Sequence, residues 1–325
     1  MAKVQVVTNV FTESSGWKLD EEYAERIRAV SDRVALTVAG TAAELLEALP
    51  EAEVVFGRAP TSEEATRRLR WVQLAAAGAN NVLTPEFLKT DIILTTAAGV
   101  HPIQISEHVF AMMLMFARRM HEYLAAQAEA RWTKDPVGRM DELYEKTVGI
   151  VGLGHIGREV AHKAKAFGMR VLATRRNLDQ AAPADVDDLL PSEQLHELLR
   201  ASDYVVLAVP LTRETVGLIG ERELKLMKPT AFLVNIARGA VIDQAALIEA
   251  LSEGRIAGAG LDTFEVEPLP EDSPLWQMPN VIITPHTAGT TPRYWERATD
   301  LFCDNLGRYL AGKPLRNVVS RERGY

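Results

Sequence analysis

The chain has 325 residues, a quarter of them charged and nearly half apolar, with a formal charge of −8 and a single cysteine. That balance belongs to a folded protein long enough for two hydrophobic cores, so two domains are expected. An acidic chain has no broad basic surface to neutralise a phosphate backbone, which argues against nucleic acid as a partner. The longest apolar run, Val109 to Ala117, is too short to span a bilayer and argues against a membrane protein.

The opening residues alternate as a strand and lack the charged, apolar and small-residue regions of a signal peptide, so a soluble cytoplasmic protein is expected. β-Branched runs at Val4 to Val7, Val34 to Val38, Val54 to Phe56, Val72 to Ala75 and Ile92 to Thr95 predict strands. Helix-period stretches lie between them at Asp20 to Val30 and at Thr41 to Leu49, the latter opening on a capping box, Thr41-Ala-Ala-Glu44. This is a complete small α/β domain. One long helix is then expected from Ile105 to Ala130. Six further strands follow, at Thr147 to Val151, Arg170 to Thr174, Tyr204 to Val209, Ala231 to Asn235, Ala257 to Leu261 and Val281 to Thr284. Strands alternating with helices predict doubly wound parallel sheets. A last helix, from about Pro292 to Leu310, is long enough to return to the first domain and make it discontinuous in sequence. Cys303 falls within that helix and reads as a structural thiol.

Gly152-Leu-Gly154-His-Ile-Gly157 follows the strand Thr147 to Val151 directly and opens a helix, the order that a dinucleotide-binding turn requires. Gly152 permits the tight turn, Gly154 lets the backbone approach a pyrophosphate, and Gly157 lets helix and strand pack closely. The helix N-terminus offers free N–H groups and a positive dipole end to the phosphates. At the end of the next strand an NAD site carries an acidic residue for the ribose hydroxyls. Here the sequence reads Thr174-Arg175-Arg176, and guanidinium groups suit a 2′-phosphate. NADP(H) is therefore the preferred cofactor, with NAD(H) possible.

Three segments place ionisable residues after predicted strands, where ligands bind in open α/β sheets. They carry Arg238, then Asp262 with Glu267, then His286. An arginine, a carboxylate and a histidine suit one reaction. Arg238 binds a substrate carboxylate and polarises a keto oxygen, His286 protonates that oxygen as hydride arrives, and Glu267 orients the imidazole and favours its protonated form. No His or Cys cluster stands at ligand spacing, so no metal is expected.

On the stretches Thr147 to Gly157, Asn235-Ile-Ala-Arg-Gly239, Asp262-Thr-Phe-Glu-Val-Glu-Pro268 and Pro285-His286, the chain resembles the D-isomer-specific 2-hydroxyacid dehydrogenase family over nearly its whole length. The resemblance implies a Rossmann nucleotide-binding domain, residues 101–290, inserted into a flavodoxin-like substrate domain, residues 1–100 and 291–325, with the active site between them. It implies reduction of a small 2-keto acid to a D-2-hydroxy acid and puts Arg238, Glu267 and His286 at the catalytic positions. Implied cofactor contacts are Gly152, Gly154, His155, Ile156, Gly157, Pro210, Ile236, Arg238, Asp262 and His286, with Asp262 on the nicotinamide carboxamide, while Arg175 and Arg176, expected to contact the cofactor on their own chemistry, depart from the family's usual acidic residue. Ala77, Gly78 and Ala79 match the loop whose amides hold the substrate carboxylate, and Arg58 matches a basic position beside it. A homodimer built on the nucleotide domains is also implied.

Two rivals are weaker. An amide is expected at position 267 of a formate dehydrogenase, and Glu267 stands there instead. A nucleotide-sensing protein related to the superfamily corepressors would need a peptide groove or extensions that the sequence does not display. His108, His121, His155, His162 and His196 read as structural, although His155 also lies in the cofactor turn. His101 has no assigned use, and Trp132 follows the helix expected to reach a second subunit.

Overall fold

The computed structural model describes residues 3–12, 14, 17–61, 68–79, 82–132, 134, 140–178 and 181–322. The chain divides into two compact units, Met1–Val100 with Thr291–Tyr325, and His101–Thr290. The second unit thus interrupts the first in sequence.

The first unit runs β1 (Val4–Thr8), β2 (Phe11–Thr12), β3 (Trp17–Lys18), α1 (Glu21–Arg28), β4 (Val34–Val38), α2 (Ala42–Ala48), β5 (Val54–Gly57), β6 (Trp71–Leu74) and β7 (Ile93–Thr95). Five of these strands form one parallel sheet in the order β4-β1-β5-β6-β7, the flavodoxin arrangement. β5 and β6 are buried along their whole length, which is why β5 reads as a continuous apolar run instead of an alternating one, whereas β6 is interrupted by the buried Gln73. The β2–β3 hairpin escapes the sequence reading because each arm is two residues long, too short to register a period. The capping box is half formed. Thr41 Oγ1 accepts from the Glu44 N–H at 3.2 Å, but Glu44 Oε2 accepts from the Gly40 N–H at 2.7 Å, one residue outside the N-cap.

In the second unit the single helix expected over 105–130 is two, α3 (Pro102–Ala117) and α4 (Met120–Ala128). The break lies at Arg118 and Arg119, where Arg119 adopts φ +54°. α3 buries Val109, Phe110, Met112 and Met113 in the unit's core, and Phe116 stacks on Phe232 at 4.1 Å. α4 buries only Ala126, so the apolar gain that would hold a straight continuation in place ends with α3.

The sheet of this unit is built from β8 (Thr147–Val151), α5 (His155–Ala166), β9 (Arg170–Arg175), β10 (Asp188–Pro191), α6 (Leu195–Ala201), β11 (Tyr204–Leu207), α7 (Glu221–Leu224), β12 (Phe232–Asn235), α8 (Gln244–Ser252), β13 (Gly258–Leu261) and β14 (Val281–Ile283). The strand order is β10-β9-β8-β11-β12-β13-β14, parallel throughout, which is the Rossmann order with one strand added. Seven strands replace the six expected. The one not foreseen, β10, is an edge strand ending in Pro191, and proline is tolerated there because an edge can lack one ladder donor.

After β14 the chain returns to the first unit as α9 (Tyr294–Leu310). Phe302 of α9 stacks on Phe56 at 4.4 Å and on Trp71 at 5.3 Å, so the returning helix completes that unit's core. Cys303 beside it is largely buried, and burial pushes its thiol up to about 11, which makes it a poor nucleophile. No helix among the described residues is long and apolar enough to cross a membrane.

Candidate active site

The glycine turn joins β8 to α5. Gly152 has φ +101°, and a Cβ there would lie 2.8 Å from the Ala208 carbonyl oxygen at the end of β11. A side chain at Gly157 would meet the Gly152 carbonyl oxygen at 2.2 Å, so α5 sits on the turn only because neither position carries one. Gly154 is different. A Cβ built on it meets nothing within 4 Å, so the N-cap of α5 opens onto free space at the point where the first helical amides, those of His155 and Ile156, lack intrahelical acceptors. An open, glycine-lined helix N-terminus at the carboxyl end of the first Rossmann strand fits a pyrophosphate.

Around the same sheet edge stand the other expected residues of this unit. Arg175 is the last residue of β9, and its Nε donates to the Asn177 carbonyl at 2.5 Å. Arg176 is 3.7 Å from the Glu214 carboxylate, both side chains being more than half exposed. The Pro210 carbonyl accepts from Thr215 Oγ1 at 2.7 Å, which ties down the loop after β11, and Ile236 is buried directly after β12.

The segment after β12 is shaped by Asn235, which is buried. Its Oδ1 accepts from the Ala237 N–H at 3.0 Å and its Nδ2 donates to the Arg238 carbonyl at 3.1 Å. Gly239 then passes so close to the backbone of Phe264 that a Cβ would lie 1.8 Å from the Phe264 carbonyl carbon. That contact brings the exposed Arg238 alongside the loop carrying Glu267.

Glu267 and His286 form the closest ionisable pair of the site. His286 Nδ1 lies 2.7 Å from Glu267 Oε2, while the Phe264 N–H donates to Glu267 Oε1 at 3.0 Å. A carboxylate only accepts, so Nδ1 carries the proton and Nε2 is the ring nitrogen left for chemistry. Partial burial disfavours the Glu267 charge. The hydrogen bonds from His286 and Phe264 and the positive charges of His286 and Arg238 outweigh it, holding the carboxyl below its usual range. The pair therefore survives above that depressed value and is lost only as the pH falls through it, below the ordinary glutamate range. Glu267→Gln should reduce more slowly than the unmodified protein at neutral pH, with the gap closing below that point, where Glu267 is itself neutral. A gap that stays constant over the acid range of a rate profile would count against the pairing.

Asp262 follows β13 and is 2% exposed. Its Oδ1 accepts from the Thr284 hydroxyl at 2.6 Å and the Thr287 N–H at 2.9 Å, and its Oδ2 from the Ala288 N–H at 3.0 Å. Three of roughly four acceptor sites on the carboxylate are thus used inside the protein. The residues supplying those bonds flank His286, and the sequence reading missed Thr284 and Asn235. The signal available for each was a polar side chain closing an apolar strand.

In the first unit, Arg58 follows β5 and Ala77, Gly78 and Ala79 follow β6, its neighbour, so both lie at the carboxyl edge of that sheet. Asn9 holds the backbone of Arg58 by two hydrogen bonds, of 2.7 and 2.8 Å. The guanidinium of Arg58 lies over the Phe11 ring at 5.6 Å. Ala77 and Gly78 are exposed and Ala79 is buried. Among the described residues no group of three or more His, Cys, Asp or Glu gathers at metal-binding distance.

Residues 110–288 match the family model described as D-isomer specific 2-hydroxyacid dehydrogenase, NAD binding domain. A glyoxylate reductase of Thermococcus gammatolerans is 41% identical over 274 residues, covering 82% of this chain and 79% of that protein. The D-isomer specific 2-hydroxyacid dehydrogenase of Xanthobacter autotrophicus Py2, solved with NADPH and MES, superposes with a TM-score of 0.81 at 29% identity, covering all of both chains. The enzyme of the same description from Lactobacillus delbrueckii ssp. bulgaricus, solved with NAD, superposes with a TM-score of 0.79 at 26% identity over 98% of this chain and all of that one.

Proposed function

The chain belongs to the D-isomer-specific 2-hydroxyacid dehydrogenase family, whose members are NAD(P)(H)-dependent oxidoreductases, and from that premise we propose that it reduces a small 2-keto acid to the D-2-hydroxy acid, with NADPH preferred to NADH. The observation that carries the proposal is the His286–Glu267 pair at 2.7 Å, with Nδ1 committed to the carboxylate. The chemistry that bound NAD(P)H supplies is hydride delivery to the keto carbon. The amides at the start of α5 hold the pyrophosphate, and Arg175 and Arg176 hold the 2′-phosphate. His155, Pro210 and Ile236 line the cofactor, and the remaining acceptor site of Asp262 takes the carboxamide N–H.

Arg238 binds the substrate carboxylate and draws charge from the keto oxygen, and His286 gives its Nε2 proton to that oxygen as the C–H bond forms. Glu267 keeps the ring turned and its charge balanced. In the first unit, Arg58 and the backbone amides of Ala77, Gly78 and Ala79 are the candidate donors for a carboxylate. A short 2-substituent, as in glyoxylate, is the first choice, supported by the glyoxylate reductase at 41% identity. The test is NADPH and NADH oxidation by the purified protein with glyoxylate, hydroxypyruvate, pyruvate, phenylpyruvate and 2-ketoisocaproate. Turnover of at least one is expected, fastest among the smaller acids, and turnover of none would overturn the assignment.

The working form is a homodimer. Met120, Leu124, Trp132, Met140 and Tyr144 are all exposed in the stretch from α4 to the start of β8, Trp132 at 90%. So much exposed apolar and aromatic surface in one stretch suits burial against a second copy. Sedimentation at micromolar concentration should give a dimer, and a monomer there would overturn this part.

A further inference from the structure

His286 has φ +53°, a left-handed conformation that a non-glycine residue keeps only where its surroundings impose it. The surroundings are the three hydrogen bonds to Asp262, one from Thr284 on one side of His286 and two from Thr287 and Ala288 on the other. Behind them stands a second histidine. His108 of α3 places Nε2 2.9 Å from Thr284 Oγ1 and 3.8 Å from Asp262 Oδ1. A threonine hydroxyl has one proton, and the 2.6 Å bond to the carboxylate takes it. His108 must therefore be the donor in its contact with Thr284.

We propose that His108 is a positioning residue for His286. By donating to Thr284 it directs the single hydroxyl proton at Asp262, and Asp262 in turn holds the loop that bends His286 into place. This rests on the assignment of His286 as the proton donor, and His108 itself touches no reacting atom. The same face of α3 grips the far end of the loop. Gln104 Nε2 donates to the Gly289 carbonyl at 3.1 Å, and the His101 ring packs so close to Gly289 that a Cβ there would be 3.1 Å from its Cδ2. His101, Gln104 and His108 follow the spacing of one helix face, so α3 braces residues 284 and 289, the two ends of the segment that holds His286. With Asp262 buried, a misdirected hydroxyl is not replaced by solvent.

The experiment compares His108→Ala, Thr284→Val and the double variant in kcat, in KM for the keto acid and in the cofactor dissociation constant, with circular dichroism as the check on folding. Each single change should lower kcat about tenfold, the worth of roughly one hydrogen bond, with cofactor affinity within about twofold. Because both act through one chain of bonds, the double variant should fall no further than the poorer single one. His108→Gln, which keeps an N–H donor, and Thr284→Ser, which keeps the hydroxyl, should recover most of the loss. Additive losses, or a Gln variant as slow as the Ala variant, would overturn the proposal. The ring ¹⁵N signals of His286, recorded without substrate, should move in His108→Ala and return in His108→Gln; signals that stay put in both would overturn it as well. Coupled movement of those signals in a protein that reduces no keto acid would refute the activity and retain the positioning role.

Discussion

His286→Ala is expected to lower kcat for keto-acid reduction by about 100- to 10,000-fold, the range that a positioned general acid contributes. The loss should be catalytic and not structural. The ring is nearly half exposed, so its removal opens no cavity in the core. The loop is held by Asp262 through the residues on either side. His286→Asn is the control for backbone strain, since asparagine tolerates positive φ better than alanine, and it should be as slow as the alanine variant while folding at least as well. Arg238→Ala should also cripple turnover, with the larger share of its effect in KM, because it removes the group that binds the carboxylate as well as polarising the carbonyl. Arg238→Lys should recover little, since a point charge lacks the planar two-donor fork. Steady-state kinetics with cofactor binding measured separately checks all of these. A near-wild-type kcat for His286→Ala would remove it from the proposed role.

An equally direct outcome is expected at the end of β9. If Arg175 and Arg176 both bind the adenosine 2′-phosphate, each charge-assisted contact is worth on the order of 1.5–3 kcal/mol, less where solvent screens it. Both are open to solvent to some degree. Arg176 lies near the exposed Glu214 at 3.7 Å, and Arg175 is bonded to the Asn177 carbonyl. A discounted total of about 3 kcal/mol is still a preference of roughly 100-fold for NADPH over NADH. Replacing Arg175 with Asp and Arg176 with Ala together should abolish the preference, chiefly by weakening NADPH, while turnover with saturating NADH stays nearly intact. The specificity constants for the two cofactors decide it, and an unmodified protein that favours NADH would sink the assignment of both arginines.

Much of the site was legible because its parts are contiguous in the chain. Strand, glycine turn and helix follow one another from Thr147 to Ala166, and the periodicity on either side of Gly152 identifies the turn without any distant contact. Arg238, Glu267 and His286 were legible for a related reason: each comes shortly after an apolar strand, and a parallel sheet puts all such strand ends on one edge. Composition and period were likewise enough for two parallel sheets, since strands buried on both faces are written as unbroken apolar runs.

Other features depended on partners far away in the sequence. Helix α3 ends at Ala117 although helix-compatible residues continue, because the burial that supports it stops there. β10 is a strand because β9 offers an open edge, and Asp188-Leu-Leu-Pro191 has no strand pattern of its own. His108 looked like one more helix histidine, and its use appears only when Thr284, 176 positions on, is folded against it. The proton on His286 Nδ1 is settled the same way, by a carboxylate 19 residues earlier. Local pattern determined most of the strands, the glycine turn and the candidate chemistry. Only the fold decided which side chains share a hydrogen bond, because a hydrogen bond depends on a few tenths of an ångström and on direction, and sequence spacing specifies neither across separate elements.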